Sequence, residues 1–79
     1  MGKLSSVSVK EAIHAFEKVG FLQVSQVGSH LKMRRLLQSG KFQTIIIPNH
    51  KLLKEGTLRN GILKPIGMTS GEFISLLKK

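Results

Sequence analysis

The chain has 79 residues, with 13 Lys and Arg against 4 acidic residues, all Glu, a formal charge of +9, and neither Cys nor Trp. That length predicts one small domain over residues 1–79. Such a domain buries roughly 60% of the surface of its unfolded chain and has no room for separate substrate and cofactor domains. Without Cys there is no disulfide framework and no thiolate metal site. No apolar run approaches the ~20 residues of a membrane span, and the start Met1-Gly2-Lys3-Leu4 lacks an apolar signal core. A soluble, cytoplasmic protein with no membrane partner is expected. The surplus of positive charge calls for a polyanionic partner, either nucleic acid or an acidic protein.

Ser8-Val9-Lys10-Glu11 has capping-box spacing ahead of a periodic run. Val9, Ala12, Ile13, Phe16 and Val19 recur at helical steps, and Gly20 supplies the stop, which predicts a first helix. Phe21 to Val27 reads as a short strand with Leu22, Val24 and Gln26 on one face and Gln23, Ser25 and Val27 on the other. After a Gly28-Ser29 turn, His30 to Leu37 alternates: Leu31 and Met33 point inward while His30, Lys32 and Arg34 project together from the opposite face. Gln38-Ser39-Gly40-Lys41 forms a hairpin loop into a third strand, Phe42 to Ile47, which Pro48 terminates.

Asn49 to Gly56 is a polar, basic connector without strong periodicity. A second helix is expected from near Thr57, with Gly61 and Pro65 bending it or ending it early. Gly67 stops it, Thr69 or Ser70 can act as a cap, and Phe73, Ile74, Leu76 and Leu77 form the stripe of a short last helix. Tight turns join consecutive strands antiparallel, and helices before and after the sheet cover one of its faces. The expected fold is therefore α+β, with a three-stranded antiparallel sheet open on one side.

Histidine is the side-chain type whose unperturbed titration falls near neutrality, and with no Asp or Cys the three histidines dominate any catalytic argument. His14 falls on the polar face of the first helix and reads as solvated. His50 lies in a basic loop, where it either touches phosphate or is simply exposed. His30 starts a strand straight after a Gly-Ser turn, in line with Lys32 and Arg34. An imidazole in such a cationic field suits RNA cleavage by the RNA's own 2′-hydroxyl, because it can take or give the proton while the cations stabilise the phosphorane-like transition state. The same residues also suit simple phosphate binding, and spacing alone does not decide between the two. Metal-site patterns and Gly-rich phosphate loops are absent, so neither metal nor cofactor is expected. A base-stacking platform is not expected either, since the aromatics are four Phe that mostly fall at core positions.

Taken in order, Leu4-Ser5-Ser6-Val7-Ser8 with Lys10-Glu11, Ala15-Phe16-Glu17-Lys18-Val19-Gly20-Phe21, Gln26-Val27-Gly28-Ser29-His30, Ile47-Pro48-Asn49-His50-Lys51, and Gly56-Thr57-Leu58-Arg59 with Ile62-Leu63-Lys64 resemble a HicA-type toxin. This family comprises the mRNA interferases of HicA/HicB toxin–antitoxin pairs. The resemblance implies a fold like the double-stranded-RNA-binding domain, α-β-β-β-α, here with a short extra C-terminal helix. It also implies metal-independent endoribonuclease activity on mRNA, translation arrest, and neutralisation by a HicB-type antitoxin. The family's catalytic histidine corresponds to His30. Gly28 and Ser29 would shape the turn presenting it, and His50, which matches a recurrent family position, would contact RNA or assist; Lys32, Arg34 and Lys51, from their charge and placement, are expected to hold its phosphates. The chain departs from the family pattern in an extra residue near Gly61, in Pro65, and in Leu31, where a second polar or His residue is common. The competing expectation is a non-catalytic double-stranded RNA-binding module using the same basic face.

Overall fold

The structure is a computed structural model and describes residues 7–49 and 52–77. The first helix, α1 (Val9–Lys18), agrees closely with the sequence signals. The Ser8 hydroxyl accepts a hydrogen bond from the Glu11 amide, and the Glu11 carboxylate accepts one from the Ser8 amide, each at 3.0 Å. Two of the donors orphaned at a helix start are thereby satisfied. At the other end Gly20 takes φ +98°. Its amide donates to the Glu17 carbonyl while Phe21 donates back to Phe16, both at 3.1 Å. This is a Schellman ending, and its hydrophobic contact is the edge-on packing of the Phe16 and Phe21 rings, 5.7 Å between centroids.

Three strands come next: β2 (Leu22–Val27), β3 (His30–Leu36) and β4 (Phe42–Pro48), paired antiparallel in the order β2-β3-β4. The preceding β1 (Val7–Ser8) and the later β5 (Leu52–Leu53) form a separate two-stranded ribbon, Val7 opposite Leu53. The chain then enters a π-helical segment, Thr57–Leu63, a 3₁₀ turn, Lys64–Ile66, and finally α2, Ser70–Leu77. Thr69 caps α2 in a second reciprocal box with Glu72, at 2.8 and 3.1 Å.

Leu31 and Met33 of β3 with Ile45 and Ile47 of β4 turn to one side of the sheet, where Phe16, Leu58, Ile62, Leu63 and Phe73 meet them; no polar or charged side chain is buried among the described residues. Phe16 lies at the centre, its ring 5.7 Å from Phe21 and 5.2 Å from Phe73. The core therefore lies between the sheet and the helices, and the opposite sheet face is open. This is the expected α+β arrangement with helices on one face. Leu31, one of the departures from the family pattern, is part of this core, where a polar side chain would need a partner.

Four expectations need correction. The β1–β5 ribbon occupies stretches read as a polar start and an aperiodic connector, because two-residue strands are too short to show a period. β3 stops at Leu36 rather than Leu37, and β4 includes Pro48, which pairs with His30. An irregularity between Gln23 and Ser25 shifts the register of β2 against β3. Leu22, Ser25 and Val27 consequently face the same way as Arg34, Lys32 and His30, which breaks the simple alternation predicted for that strand. Finally, the second helix is not α-helical: it is π-helical over Thr57–Leu63 and tightens into the 3₁₀ turn at Lys64–Ile66. Pro65 has no amide hydrogen and its ring crowds the carbonyl four residues back, that of Gly61, so the α-helical pattern cannot run through it.

Candidate functional site

The turn between β2 and β3 consists of two residues, Gly28 and Ser29, closed by the Val27–His30 pair. Gly28 holds φ +58°, a left-handed conformation costly for residues with a Cβ, and no atom lies within 4 Å of where that Cβ would be. The Gln26 side chain donates to the Gly28 carbonyl at 3.3 Å. The Ser29 carbonyl accepts the amide of Asn49, which ties the turn to the chain leaving β4. His30, the first residue of β3, is thus held between two paired neighbours, Val27 and Pro48, with its side chain exposed.

Alternation along β3 brings Lys32 and Arg34 to the same open face as His30, in a line with steps of roughly 6.7 Å. Arg34 is exposed and Lys32 half-buried. No acidic residue occurs in β2, β3 or β4. The four Glu lie on helical stretches: Glu11 and Glu72 are held in capping boxes, Glu55 pairs with Arg59, and Glu17 is on α1. The cations of the open face are therefore not neutralised by carboxylates of the same sheet, which leaves a positive field for an anionic ligand. Among the described residues no three or more His, Cys, Asp or Glu gather where a metal ion could be held.

The structure brings Gly28, Ser29, His30, Lys32 and Arg34 together along one turn and one strand. His50 and Lys51 lie outside the described residues. His14 is exposed on α1, on the helical side of the molecule.

Arg35, the neighbour of Arg34, points the other way. Its Nε donates to the Gln43 side chain at 2.9 Å, one guanidinium nitrogen donates to the Val19 carbonyl at 3.1 Å, and the guanidinium carbon lies 4.7 Å from the Phe21 ring centroid. It ties the sheet to the end of α1 and is structural.

Sequence reasoning missed Phe42. It lies on the open face with Arg34 over its ring at 5.3 Å. The signal was present: with Ile45 and Ile47 inward, period-two alternation sends Ile46, Thr44 and Phe42 outward. Leu22, Val24, Val27, Leu36 and Ile46 are likewise exposed apolar side chains of the sheet. The open face is thus both basic and apolar.

No helix among the described residues is long and apolar enough to cross a membrane. Comparison with curated proteins gives no match, and comparison with solved structures gives none either. A family model described as HicA toxin of bacterial toxin–antitoxin systems matches residues 9–68, from the first residue of α1 to just beyond the 3₁₀ turn. That span contains the Gly-Ser-His turn and all three strands of the main sheet, and the chain belongs to the HicA toxin family.

Proposed function

We propose that this toxin is a metal-independent endoribonuclease that cleaves mRNA, with His30 as its catalytic residue. The observation that carries this reading is the alignment of His30, Lys32 and Arg34 on one exposed strand face of a HicA-family fold, free of carboxylates from the same sheet. The reaction uses the RNA's own 2′-hydroxyl. As the 2′-oxygen loses its proton it bonds to the adjacent phosphorus, the bond from phosphorus to the 5′-oxygen breaks, and that oxygen takes up a proton. The products are a 2′,3′-cyclic phosphate and a 5′-hydroxyl. His30 serves one of the two proton transfers, since one imidazole acts at one end at a time. Lys32, His50 and water are the candidates for the other. Lys32 and Arg34, with His50 and Lys51, hold phosphate and offset the charge that builds on the reacting group. Gly28 and Ser29 set the turn that presents the imidazole.

Cleavage of mRNA arrests translation, in the cytoplasm. The antitoxin partner implied by the family is of the HicB type, and it neutralises the toxin by covering His30 and the cations beside it. A complex with the antitoxin in which His30 stays accessible while RNA is not cut would contradict that mode of inhibition. The test of the enzymatic reading is growth arrest and mRNA loss on induction of the wild-type chain, both absent with His30→Ala. Wild-type protein that binds RNA and cleaves none would instead support a non-catalytic double-stranded RNA-binding module. In that case His30→Ala would lower affinity only modestly, as loss of one phosphate contact does.

A further inference from the structure

Three of the four phenylalanines, Phe16, Phe21 and Phe73, are 0% exposed, whereas Phe42 is 62% exposed. Its ring gives nothing to the core. Phe42 pairs with Leu36 across the β3–β4 ladder and Arg34 pairs with Thr44, so Arg34 and Phe42 are diagonal neighbours on the open face. The guanidinium carbon lies 5.3 Å from the ring centroid. Arg34 makes no hydrogen bond or ion pair among the described residues, in contrast to Arg35 beside it. Along β3, Arg34 is four residues from His30, about 13 Å at strand rise, with Lys32 between them. Leu36 and Leu22, each paired to a member of the Arg34–Phe42 couple, extend the apolar floor at this end.

An exposed aromatic face beside a guanidinium plane is the surface on which unpaired nucleic-acid bases stack. Bases inside a duplex have their faces covered by their neighbours and cannot use it. We propose that Phe42 and Arg34 form a stacking platform for an unpaired base of single-stranded RNA, held a few nucleotides from the phosphate at His30. The platform sets where the strand lies on the sheet, and therefore which bond meets the imidazole. This rests on the ribonuclease reading for the role of His30, but the binding event does not depend on cleavage. The exposed aliphatic side chains of the same face would also suit a protein partner. The alignment of the Arg34–Phe42 pair with Lys32 and His30, on a chain of charge +9, favours RNA.

The test measures binding of a short, unstructured, end-labelled RNA, and of the same sequence as a duplex, to the full chain in a His30→Ala background. Phe42→Ala and Phe42→Leu should weaken single-strand binding by roughly 5- to 150-fold, the range for loss of one base–aromatic stack. Neither should change duplex binding, and Phe42→Trp should retain wild-type affinity. Arg34→Lys, which keeps the charge but not the plane, should also weaken single-strand binding. In the cleaving protein, Phe42→Leu should raise KM more than it lowers kcat and should spread the cleavage sites. Melting curves confirm that each variant is folded. Unchanged single-strand affinity in Phe42→Leu, or equal losses for single strand and duplex, would overturn the platform. So would a Phe42→Leu variant that loses only antitoxin capture, which would make this a protein-docking surface. A wild-type chain that cleaves nothing yet binds single strands in a Phe42-dependent way would remove the ribonuclease reading and leave the platform standing.

Discussion

Arg34 and Arg35 are adjacent in sequence, chemically identical and on opposite faces of β3, so substituting each by Ala separates what the core needs from what the ligand needs. Arg35 makes two charge-assisted hydrogen bonds, to Gln43 and to the Val19 carbonyl, and lies over Phe21. At a half-buried position each such bond is worth about 1 kcal/mol net, and the cation–π contact adds about 0.5–1 kcal/mol. Arg35→Ala should therefore cost about 2–3 kcal/mol. In a chain of this size that is a fall of roughly 10–20 °C in melting temperature. Arg34 contributes one exposed cation–π contact with Phe42, so Arg34→Ala should cost no more than about 1 kcal/mol. RNA affinity, measured well below both melting temperatures, should show the opposite order: weakened in Arg34→Ala and close to wild type in Arg35→Ala. Urea titrations give the stabilities and fluorescence anisotropy with labelled RNA gives the affinities. Equal destabilisation by the two substitutions, or equal loss of RNA binding, would refute the assignment of one arginine to each face.

Two glycines should respond in opposite directions. At Gly28, with φ +58° and open space around the missing Cβ, the cost of a side chain is backbone strain alone, about 1–2 kcal/mol. Gly28→Asn, which tolerates that conformation, should keep RNA cleavage, while Gly28→Val should lose it by displacing His30; equal activity of the two would show that the turn does not position the imidazole. Gly61 lies in the π-helical segment without a positive φ and with nothing near its missing Cβ. Gly61→Ala should raise stability by about 0.5–1 kcal/mol, read as a higher urea midpoint, and a lower midpoint would mean that the π geometry requires glycine there.

What the sequence disclosed was written in local signals. The Ser8–Glu11 box, the three- and four-residue spacing through Phe16 and the Gly20 stop all concern neighbours in the chain, and α1 obeys them. The face shared by His30, Lys32 and Arg34 was legible for the same reason: strand alternation is local, and Leu31 and Met33 had to point inward. Features that depend on distant partners were not legible. The β1–β5 ribbon joins Val7 to Leu53, two-residue strands whose pairing leaves no period to detect. The shift beside Val24 appears only when β2 is laid against β3, and it changes which β2 side chains share the face of His30. Phe42 was hidden by its type, since composition places phenylalanine in the core, although alternation from Ile45 and Ile47 pointed it outward. Pro65 and Gly61 announced an irregular helix but not its form, because the way a helix accommodates a proline depends on the packing of Leu58, Ile62 and Leu63 beneath it.

Whether His30 drives cleavage by the RNA's own 2′-hydroxyl is read from the ends of the products. RNA is incubated in EDTA with the wild-type chain and, in parallel, with His30→Ala. Cleavage by the wild type alone, leaving 2′,3′-cyclic phosphate or 3′-phosphate on one fragment and 5′-hydroxyl on the other, is the expected result. Products with 5′-phosphate ends, cleavage abolished by EDTA, or equal cleavage by both proteins would contradict it.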